Sequence, residues 1–300
     1  MIANLIARRI AIIGVGLIGG SLARALKKVN AVETVVGYGR NENNLKKAVQ
    51  LGVIDTYSLN IKEVVNDADI VVLATPLATA DSLFAAMSDF LKQTVIVTDV
   101  GSAKGKIVES ARGNLGELFT RFVPGHPIAG KEASGVEASF AELFDAHRVI
   151  LTPVAVTEHE ALNVIIDMWK LTGAEVVSLD VEQHDGILAA TSHLPHMLAY
   201  ALVDCLSGMQ ERDRIFEFAA GGFADFTRIA SSHPRMWHDI CFSNREQLLK
   251  VMDQFGQHLN SIREAIKNDD SDALFNIFER AKTSRDKFTD QRKKRNDSPE

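Results

Sequence analysis

The sequence lacks the features of a cross-linked, metal-bound or membrane-embedded architecture. Only two of its 300 residues are cysteines, Cys205 and Cys241, which excludes a disulfide scaffold and any paired-cysteine metal or redox motif. No apolar stretch approaches the roughly 18 residues that a membrane helix needs. No secretion signal precedes Arg8 and Arg9. These absences predict a soluble protein of the reducing cytoplasm, with no membrane partner.

An excess of positive charge is also missing. Lysine and arginine total 33 against 39 acidic residues, a formal net charge of −6. Because nucleic-acid binding requires a basic face, no nucleic-acid partner is expected. The hydrophobic share of 46% and the charged share of 24% are those of a globular protein, and the length suits two domains.

Two local patterns alternate along the first 180 residues. Short β-rich runs occur at 10–13, 32–38, 70–74, 94–98, 121–123 and 149–152, with helical stretches such as 21–29 and 41–51 between them. This alternation predicts βαβ units and a parallel sheet with helices on both faces. After a last strand-like run at 174–179 only helical patterns remain. We therefore predict an α/β domain over residues 1–180 and an all-helical domain over 181–290.

The helical half carries one long apolar stripe. Between residues 245 and 268 the apolar positions alternate steps of four and three, at Leu248, Met252, Phe255, Leu259, Ile262 and Ile266. Such spacing forms one face of a helix. Packing within the domain and a seam between two subunits both explain the stripe, and both interpretations stay open. Residues 291–300 are polar and charged, and are predicted to form a disordered tail.

A glycine-rich turn follows the first predicted strand. Gly14, Gly16 and Gly19 form a GxGxxG pattern between that strand and a helix that begins near Leu17 and Ile18. In this context the first glycine permits the tight turn, the second lets the backbone approach a pyrophosphate, and the third lets the helix pack closely. Free N–H groups at the helix N-terminus suit the phosphates. The turn predicts a Rossmann-type domain that binds a nicotinamide dinucleotide.

The end of the second strand bears on which nicotinamide cofactor is used. An NAD site usually has an acidic residue there, whereas an arginine suits the 2′-phosphate of NADP. This chain has Gly39 followed by Arg40, which slightly favours NADP. Stacking of Arg40 on adenine, solvent exposure of Arg40, and dual use of both cofactors remain open. Thr75 and Pro76 follow another strand at the ligand-binding edge of the sheet, and are expected cofactor contacts.

Two polar residues of the first domain are candidates for the chemistry. Ser102 follows the strand at 94–98, where it would act either as a helix N-cap or in catalysis. His126 lies between Pro124 and Pro127 in a predicted loop. Core packing explains that position poorly, whereas a neutral imidazole held there would accept a proton near pH 7.

The helical half contributes three further candidates. His193 and His196 share one face of a helix at i, i+3, and Pro195 between them would kink the helix and re-aim the rings. No acidic or cysteine ligand completes a metal set around the histidines, so no metal is predicted. Arg228 lies in a largely apolar stretch. There it must meet an anion, which would be either Asp225 or a substrate carboxylate.

Five motifs in this order resemble the prephenate dehydrogenase family, which includes arogenate and cyclohexadienyl dehydrogenases of tyrosine biosynthesis. They are the glycine turn at 14–20, Asp-Val-Gly-Ser-Ala-Lys-Gly at 99–105, Gly-His-Pro-Ile-Ala-Gly at 125–130, Ser-His-Leu-Pro-His at 192–196 and Asp-Phe-Thr-Arg-Ile-Ala at 225–230. The resemblance implies an oxidoreductase that acts on prephenate or arogenate, and a homodimer formed through the helical domain.

The resemblance also implies the reaction and the residue roles. Hydride leaves the hydroxyl-bearing ring carbon for the nicotinamide, the ring carboxylate departs as CO₂, and the ring becomes aromatic. His126 would take the hydroxyl proton, with Ser102 hydrogen-bonded to it. Arg228 would hold a substrate carboxylate, and His196, with His193 near it, would contact the side-chain end. Glu132, Asp225 and Trp237 also match family positions.

Two other kinds of protein remain as alternatives. One is another small-molecule dehydrogenase of the same architecture, such as a β-hydroxyacid dehydrogenase or an imine reductase. These need a catalytic lysine in the helical domain or lack the His126 motif. The other is a non-catalytic sensor that binds NADP. Such a sensor would keep the glycine turn but has no reason to keep Ser102, His126 and Arg228 together.

Overall fold

A computed structural model describes residues 5–131 and 133–297. The strands of this part of the chain are β1 (Ala7–Ile13), β2 (Val32–Tyr38), β3 (Thr56–Ser58), β4 (Ile70–Leu73), β5 (Ile96–Asp99), β6 (Phe122–Val123), β7 (Gly125–Pro127), β8 (Arg148–Leu151) and β9 (Glu175–Ser178). Its α-helices are α1 (Leu17–Lys28), α2 (Glu42–Gln50), α3 (Ile61–Val65), α4 (Ala80–Met87), α5 (Gly105–Asn114), α6 (His159–Lys170), α7 (Val181–Leu188), α8 (Leu194–Ser207), α9 (Arg212–Glu217), α10 (Gly221–Thr227), α11 (Pro234–Ser243), α12 (Arg245–Lys267) and α13 (Ser271–Asp297).

The first six strands form one parallel sheet. Their order is β3-β2-β1-β4-β5-β6, so the chain reverses direction across the sheet between β1 and β4. In register, Ile10 of β1 pairs with Val35 of β2 and with Ile70 of β4. Ligands of open α/β sheets bind outside the carboxyl ends of the strands at such a switch point. The predicted Rossmann-type domain is confirmed.

The sheet is buried on both faces. All four residues of β4 and of β5 are buried, as their continuous apolar runs predict. Alternate residues of β1 enter different apolar clusters, with Ile12 in the cluster that contains Trp169 and Ile13 in the cluster that contains Phe84. Because successive strand residues point to opposite faces, the sheet is the middle of three layers.

A second, smaller sheet places the predicted His126 loop on a strand. It has the order β7-β8-β9, with β7 antiparallel to β8 and β8 parallel to β9. His126 pairs with Ile150 of β8. The expectation of a loop is wrong here. A three-residue strand next to Pro124 and ending at Pro127 is too short to show period-two alternation in the sequence.

Helices α7 to α11 belong to the same compact unit as the sheets. The described chain divides into the units Met1–Leu248 and Leu249–Glu300, a division later than the residue 180 expected from the sequence. Contacts of α7 explain the difference. The Asp185 carboxylate accepts the backbone N–H groups of Lys104 and Gly105, each at 2.8 Å, and so ties α7 to the start of α5.

Helices α7 and α8 form one run through a wide π-type turn at Ala189–His193. Pro195 lies in the first turn of α8, where it has no N–H to donate to the preceding turn. This run, Val181–Ser207, has the length and apolar composition of a membrane span, with a mean hydropathy of 1.2. That contradicts the expectation that no stretch approaches such a length. The finding is weak evidence for a membrane, because core helices of globular proteins share this composition.

The second unit contains most of α12 and all of α13. The predicted helix at 245–268 is present as α12, and Met252, Leu259 and Ile266 of its stripe are exposed along it. Helix α13 continues to Asp297, whereas the sequence predicts disorder from residue 291. The polar composition that suggested disorder is equally compatible with an exposed helix rich in Lys and Arg. Residues 298–300 lie outside the described part.

Candidate active site

Two adjoining cavities lie at the carboxyl ends of β1, β4 and β5. The first, about 470 Å³, is lined by Gly16 and by Thr75 and Pro76. The second, about 1040 Å³, is lined by His126, by both helical-half histidines and by Arg228. Ser102 lines both, so it lies where the two cavities meet.

Gly14 and Gly19 are required by close backbone contacts. Gly14 has φ +102°, and a Cβ there would lie 2.5 Å from the carbonyl oxygen of Ala74. A Cβ on Gly19 would lie 2.4 Å from the carbonyl oxygen of Gly14. No side chain larger than hydrogen fits at either position without moving the backbone. These two glycines therefore shape the turn.

Gly16 has a different environment. A Cβ there would meet no atom within 4 Å, and the space in front of it is the first cavity. Gly16 is the N-cap of α1 and offers no side-chain hydrogen bond to the first turn of the helix. The backbone N–H groups of Leu17 and Ile18 thus begin a helix that faces open space. This cradle fits the pyrophosphate of a dinucleotide.

Of the predicted cofactor residues, Gly14, Gly19 and Arg40 lie outside both cavity linings, and Arg40 is the one of these three with a side chain. It lies exposed between β2 and α2, next to Asn41, whose side chain caps α2 by accepting the N–H of Asn44. In an open α/β sheet this edge is where the ribose of the adenosine half would reach.

His126 is buried at the wall of the second cavity. Its Nδ1 is 2.9 Å from Nε2 of His184, and its side chain is only 8% exposed. Burial, followed by the nearness of His184 and Lys104, lowers the pKa of His126 well below its ordinary value. His126 is therefore a neutral imidazole at neutral pH, as a general base must be.

The ring partner of His126 differs from the expected one. Among the described residues, its hydrogen bond goes to His184, and Ser102 makes none to it. The sequence expectation of a Ser102–His126 hydrogen bond is not met in this structure. His184 lies on α7, and the predicted His193 is the last residue of the π-type turn that follows this helix. The contact joins residues 58 positions apart, so no local pattern reveals it.

A buried ion pair fixes the backbone on which His126 lies. Lys104 Nζ is 2.5 Å from Asp99 Oδ2 and 2.6 Å from the carbonyl oxygen of Gly125, and both charged side chains are fully buried. Asp99 also accepts the N–H groups of Gly101 and Gly125. Burial lowers the pKa of Lys104, and Asp99 opposes that shift. The pair ties the end of β5 to the start of β7.

His193 is hydrogen-bonded to Asn244. The Asn244 amide nitrogen is 3.1 Å from His193 Nδ1 and also donates to the backbone oxygen of Asp185 at 2.8 Å. Burial lowers the pKa of His193 to about 4, although the nearby Asp185 carboxylate opposes that shift. His193 is therefore also neutral at neutral pH.

His196 is stacked on Trp237. The two ring centroids are 3.7 Å apart at 23°, and His196 Nδ1 donates to the carbonyl oxygen of Ser192 at 2.9 Å. Both rings line the second cavity. The Trp237 indole nitrogen is buried and makes no hydrogen bond to any described residue.

Arg228 is exposed, which contradicts the expected buried charge in an apolar stretch. It begins a short 3₁₀ turn, Arg228–Ser231, directly after α10, and it lines the second cavity. The neighbouring residues are largely apolar and suggest burial, but Arg228 begins the turn with its side chain exposed and lines the cavity. Asp225 on α10 is exposed as well, and Glu132 lies outside the described residues.

The arrangement defines a chemistry. A neutral histidine lies beside a dinucleotide cradle, in a cavity that is also lined by an arginine and by a stacked histidine–tryptophan pair. No group of three or more metal-ligating side chains occurs in the described residues. These features define a nicotinamide-dependent dehydrogenase that acts on a small anionic alcohol.

Comparison with known proteins gives the family. Residues 22–178 match the sequence model of the prephenate dehydrogenase nucleotide-binding domain, and 180–280 match that of the prephenate dehydrogenase dimerization domain. A cyclohexadienyl dehydrogenase of Zymomonas mobilis is 41% identical over 280 residues, covering 93% of this chain and 95% of that protein. The chain belongs to the prephenate dehydrogenase family.

Solved structures agree with this assignment. The crystal structure of prephenate dehydrogenase from Aquifex aeolicus in complex with hydroxyphenyl propionate and NAD⁺ superposes with a TM-score of 0.88 at 37% identity. That match covers 94% of this chain and 98% of the other. Synechocystis arogenate dehydrogenase gives a TM-score of 0.77 at 29% identity, over 93% and 99% of the two chains.

Proposed function

We propose that this chain catalyses the nicotinamide-dependent oxidative decarboxylation of prephenate to 4-hydroxyphenylpyruvate in tyrosine biosynthesis, and that it also converts arogenate to tyrosine. One observation carries the proposal: the cavity that contains neutral His126 also presents Arg228 and adjoins the dinucleotide cleft at Ser102. A relative named for cyclohexadienyl substrates and a structural neighbour named for arogenate support the broader substrate range.

His126 is the proposed proton acceptor. When bound, the oxidised nicotinamide accepts hydride from the carbon that carries the ring hydroxyl. The proton of that hydroxyl moves to His126, which is neutral because burial lowers its pKa. Loss of the ring carboxylate as CO₂ makes the ring aromatic, and His126 returns the proton to the phenol oxygen. Since aromatisation is strongly downhill, the protein mainly positions and polarises the substrate.

The other cavity residues are proposed to bind the substrate. Arg228 would hold a carboxylate through a bidentate pair, which its planar guanidinium favours. Trp237 and His196, whose rings stack, would line the end of the cavity that takes the substrate side chain. His193 would support Ser102, and the Ser102 hydroxyl would face both substrate and cofactor.

For the cofactor, we propose that the chain accepts NADP as well as NAD. The main support is local: Gly39 leaves no carboxylate to repel a 2′-phosphate, and exposed Arg40 is placed beyond β2, where that phosphate would lie. The neighbour from Aquifex aeolicus was solved with NAD⁺. The choice between NAD and NADP would then depend on Gly39 and Arg40, at the end of β2.

The proposed assembly is a homodimer in the cytoplasm. The region 180–280 matches a dimerization domain, and the stripe on α12 leaves Met252, Leu259 and Ile266 exposed. Exposed apolar stripes of this kind are typical of subunit interfaces. Neither nucleic acid nor a membrane is a proposed partner.

The test is a set of turnover assays on the purified chain. Reduced nicotinamide and CO₂ are measured with prephenate, arogenate and a β-hydroxyacid, each with NAD and with NADP. The proposal expects equal amounts of both products from prephenate. Absence of turnover with both cyclohexadiene substrates would contradict it, and activity on the β-hydroxyacid alone would favour the alternative dehydrogenase class.

A further inference from the structure

Behind His126, on α7, lie two side chains that the proposed reaction does not use. His184 Nε2 is 2.9 Å from His126 Nδ1, and His184 Nδ1 is 2.8 Å from Asp185 Oδ1. All three side chains are buried, with exposures of 8%, 0% and 6% along the chain from histidine to carboxylate. They form one hydrogen-bonded line that runs from the cavity wall into the protein.

The Asp185 carboxylate is the fixed end of this line. It accepts the backbone N–H groups of Lys104 and Gly105, and so caps α5, whose own N-cap residue makes no side-chain cap. Burial alone would raise the pKa of Asp185. The hydrogen bonds from His184 and from the two backbone N–H groups nevertheless hold that pKa below its usual value. Asp185 is therefore ionised and can only accept hydrogen bonds.

The ionised carboxylate determines where the protons of both rings lie. Because Asp185 only accepts, His184 must carry its proton on Nδ1, and a neutral His184 then has a lone pair on Nε2. That lone pair requires a proton on His126 Nδ1. His126 Nε2 is left unprotonated, and it is the ring nitrogen that has no partner within this line. A general base needs this arrangement.

We propose that His184 and Asp185 are positioning residues, which hold His126 in the tautomer with a free Nε2 and share the positive charge when that nitrogen takes a proton. This inference rests on the proposed function. In the step, the substrate O–H bond breaks and its proton forms a bond to His126 Nε2. The Nδ1 proton can then shift to His184 Nε2, beside the Asp185 anion. Both shifts reverse when the phenol oxygen regains its proton.

The surroundings explain why such support is needed. Lys104 lies next to the line as a buried cation, and His193 is a third neutral imidazole nearby. Asp99 neutralises Lys104 through their 2.5 Å contact, which leaves Asp185 as the anion in direct contact with the histidine pair. A proton on His126 without this pair would be a buried cation close to another cation.

The first measurement is the tautomer of His126, by nitrogen NMR of the ligand-free protein at neutral pH. The proposal expects the proton on Nδ1 in the wild-type chain and a mixture of tautomers in His184→Leu, which removes the acceptor. A wild-type proton on Nε2 would overturn the proposal. Because this readout needs no substrate, it decides the positioning claim even if the chain turns over neither cyclohexadiene.

The second measurement is turnover of prephenate by two variants. His184→Leu should lower kcat about 100-fold or more, within the usual range of general-base contributions, with KM and cofactor affinity nearly unchanged. His184→Gln keeps an oxygen that accepts from His126 Nδ1 but cannot take a proton. His184→Gln should keep the His126 tautomer and lower kcat by a smaller factor, about 10-fold, because orientation supplies part of a general-base contribution.

The control is His147→Gln, because His147 is an exposed histidine bonded to the backbone oxygen of Asp145. It should leave both readouts unchanged. Wild-type kcat in His184→Leu would overturn the proposal, and so would equal losses of kcat, cofactor affinity and melting temperature, which indicate a purely structural role. If His184→Leu fails to fold, His184→Gln and the wild-type tautomer decide the question.

Discussion

Replacing Gly16 by alanine separates cofactor binding from folding. The backbone at Gly16 has φ −106° and ψ −150°, which an L-residue adopts, and the added Cβ meets no protein atom within 4 Å. The folded protein should therefore tolerate the methyl group. The same methyl group enters the cavity where the pyrophosphate would approach the backbone most closely. Overpacking such a contact costs about 1–3 kcal/mol, or about 5- to 150-fold in cofactor Kd.

The matched comparison is Gly14→Ala, two residues away in the same turn. There the Cβ would lie 2.5 Å from the carbonyl oxygen of Ala74, at φ +102°, so folding itself should suffer. Cofactor Kd is measured by calorimetry and stability by thermal unfolding. We expect Gly16→Ala to keep the wild-type Tm and lose affinity, and Gly14→Ala to lose Tm. A Gly16→Ala protein with wild-type affinity would refute the assignment of the cradle.

Two further predictions concern the substrate cavity. Arg228→Ala should raise KM for prephenate about 10- to 150-fold, the worth of a charge-assisted hydrogen bond, with cofactor Kd unchanged; equal weakening of both would indicate a structural arginine. The pKa of His193 is about 4 in the folded protein, against an ordinary 6.5. As the pH falls below 6.5 the unfolded chain therefore binds a proton at this residue before the folded protein does. The folded protein should lose stability as the pH falls from 6.5 towards 4. Between pH 6.5 and 5 the free energy of unfolding should fall by about 2 kcal/mol, at 1.36 kcal/mol per pH unit. Denaturant unfolding of His193→Gln should not show this fall. Parallel pH profiles of stability for the two proteins would contradict the prediction.

Much of the first domain could be predicted because its signals are local. Strands buried on both faces give continuous apolar runs, and β4 and β5 show this directly. The glycine turn is equally local, since the constraints on Gly14 and Gly19 come from atoms within the same strand–turn–helix unit and the adjacent strand end.

His184 and Asp185 could not be predicted as partners of His126, because the contacts that define their role join residues far apart in the sequence. The sequence shows His184 and Asp185 only as neighbours in the first turns of a helix. Their role depends on α7 packing against the start of α5, 80 residues earlier in the chain. The local sequence offers only an adjacent histidine and aspartate in α7, a helix of mixed polarity, and that pattern does not indicate burial.

Arg228 shows the opposite failure, in which a local signal misleads. Its apolar neighbours suggested burial, but the 3₁₀ turn after α10 leaves its side chain exposed at the cavity. Periodicity alone cannot locate a helix end within a run of helical residues. The apolar stripe on α12 is similar: its helix was predictable from the spacing, whereas the spacing does not say that Met252, Leu259 and Ile266 are exposed.

The most direct test of the central claim is the rate of nicotinamide reduction with prephenate in His126→Asn against the wild type, both saturated with substrate and cofactor. Asparagine keeps a polar side chain but cannot accept the proton. The account predicts a kcat lower by about 10²–10⁴-fold, with cofactor affinity retained. A variant that turns over at nearly the wild-type rate across the pH range would contradict the claim that this imidazole is the base.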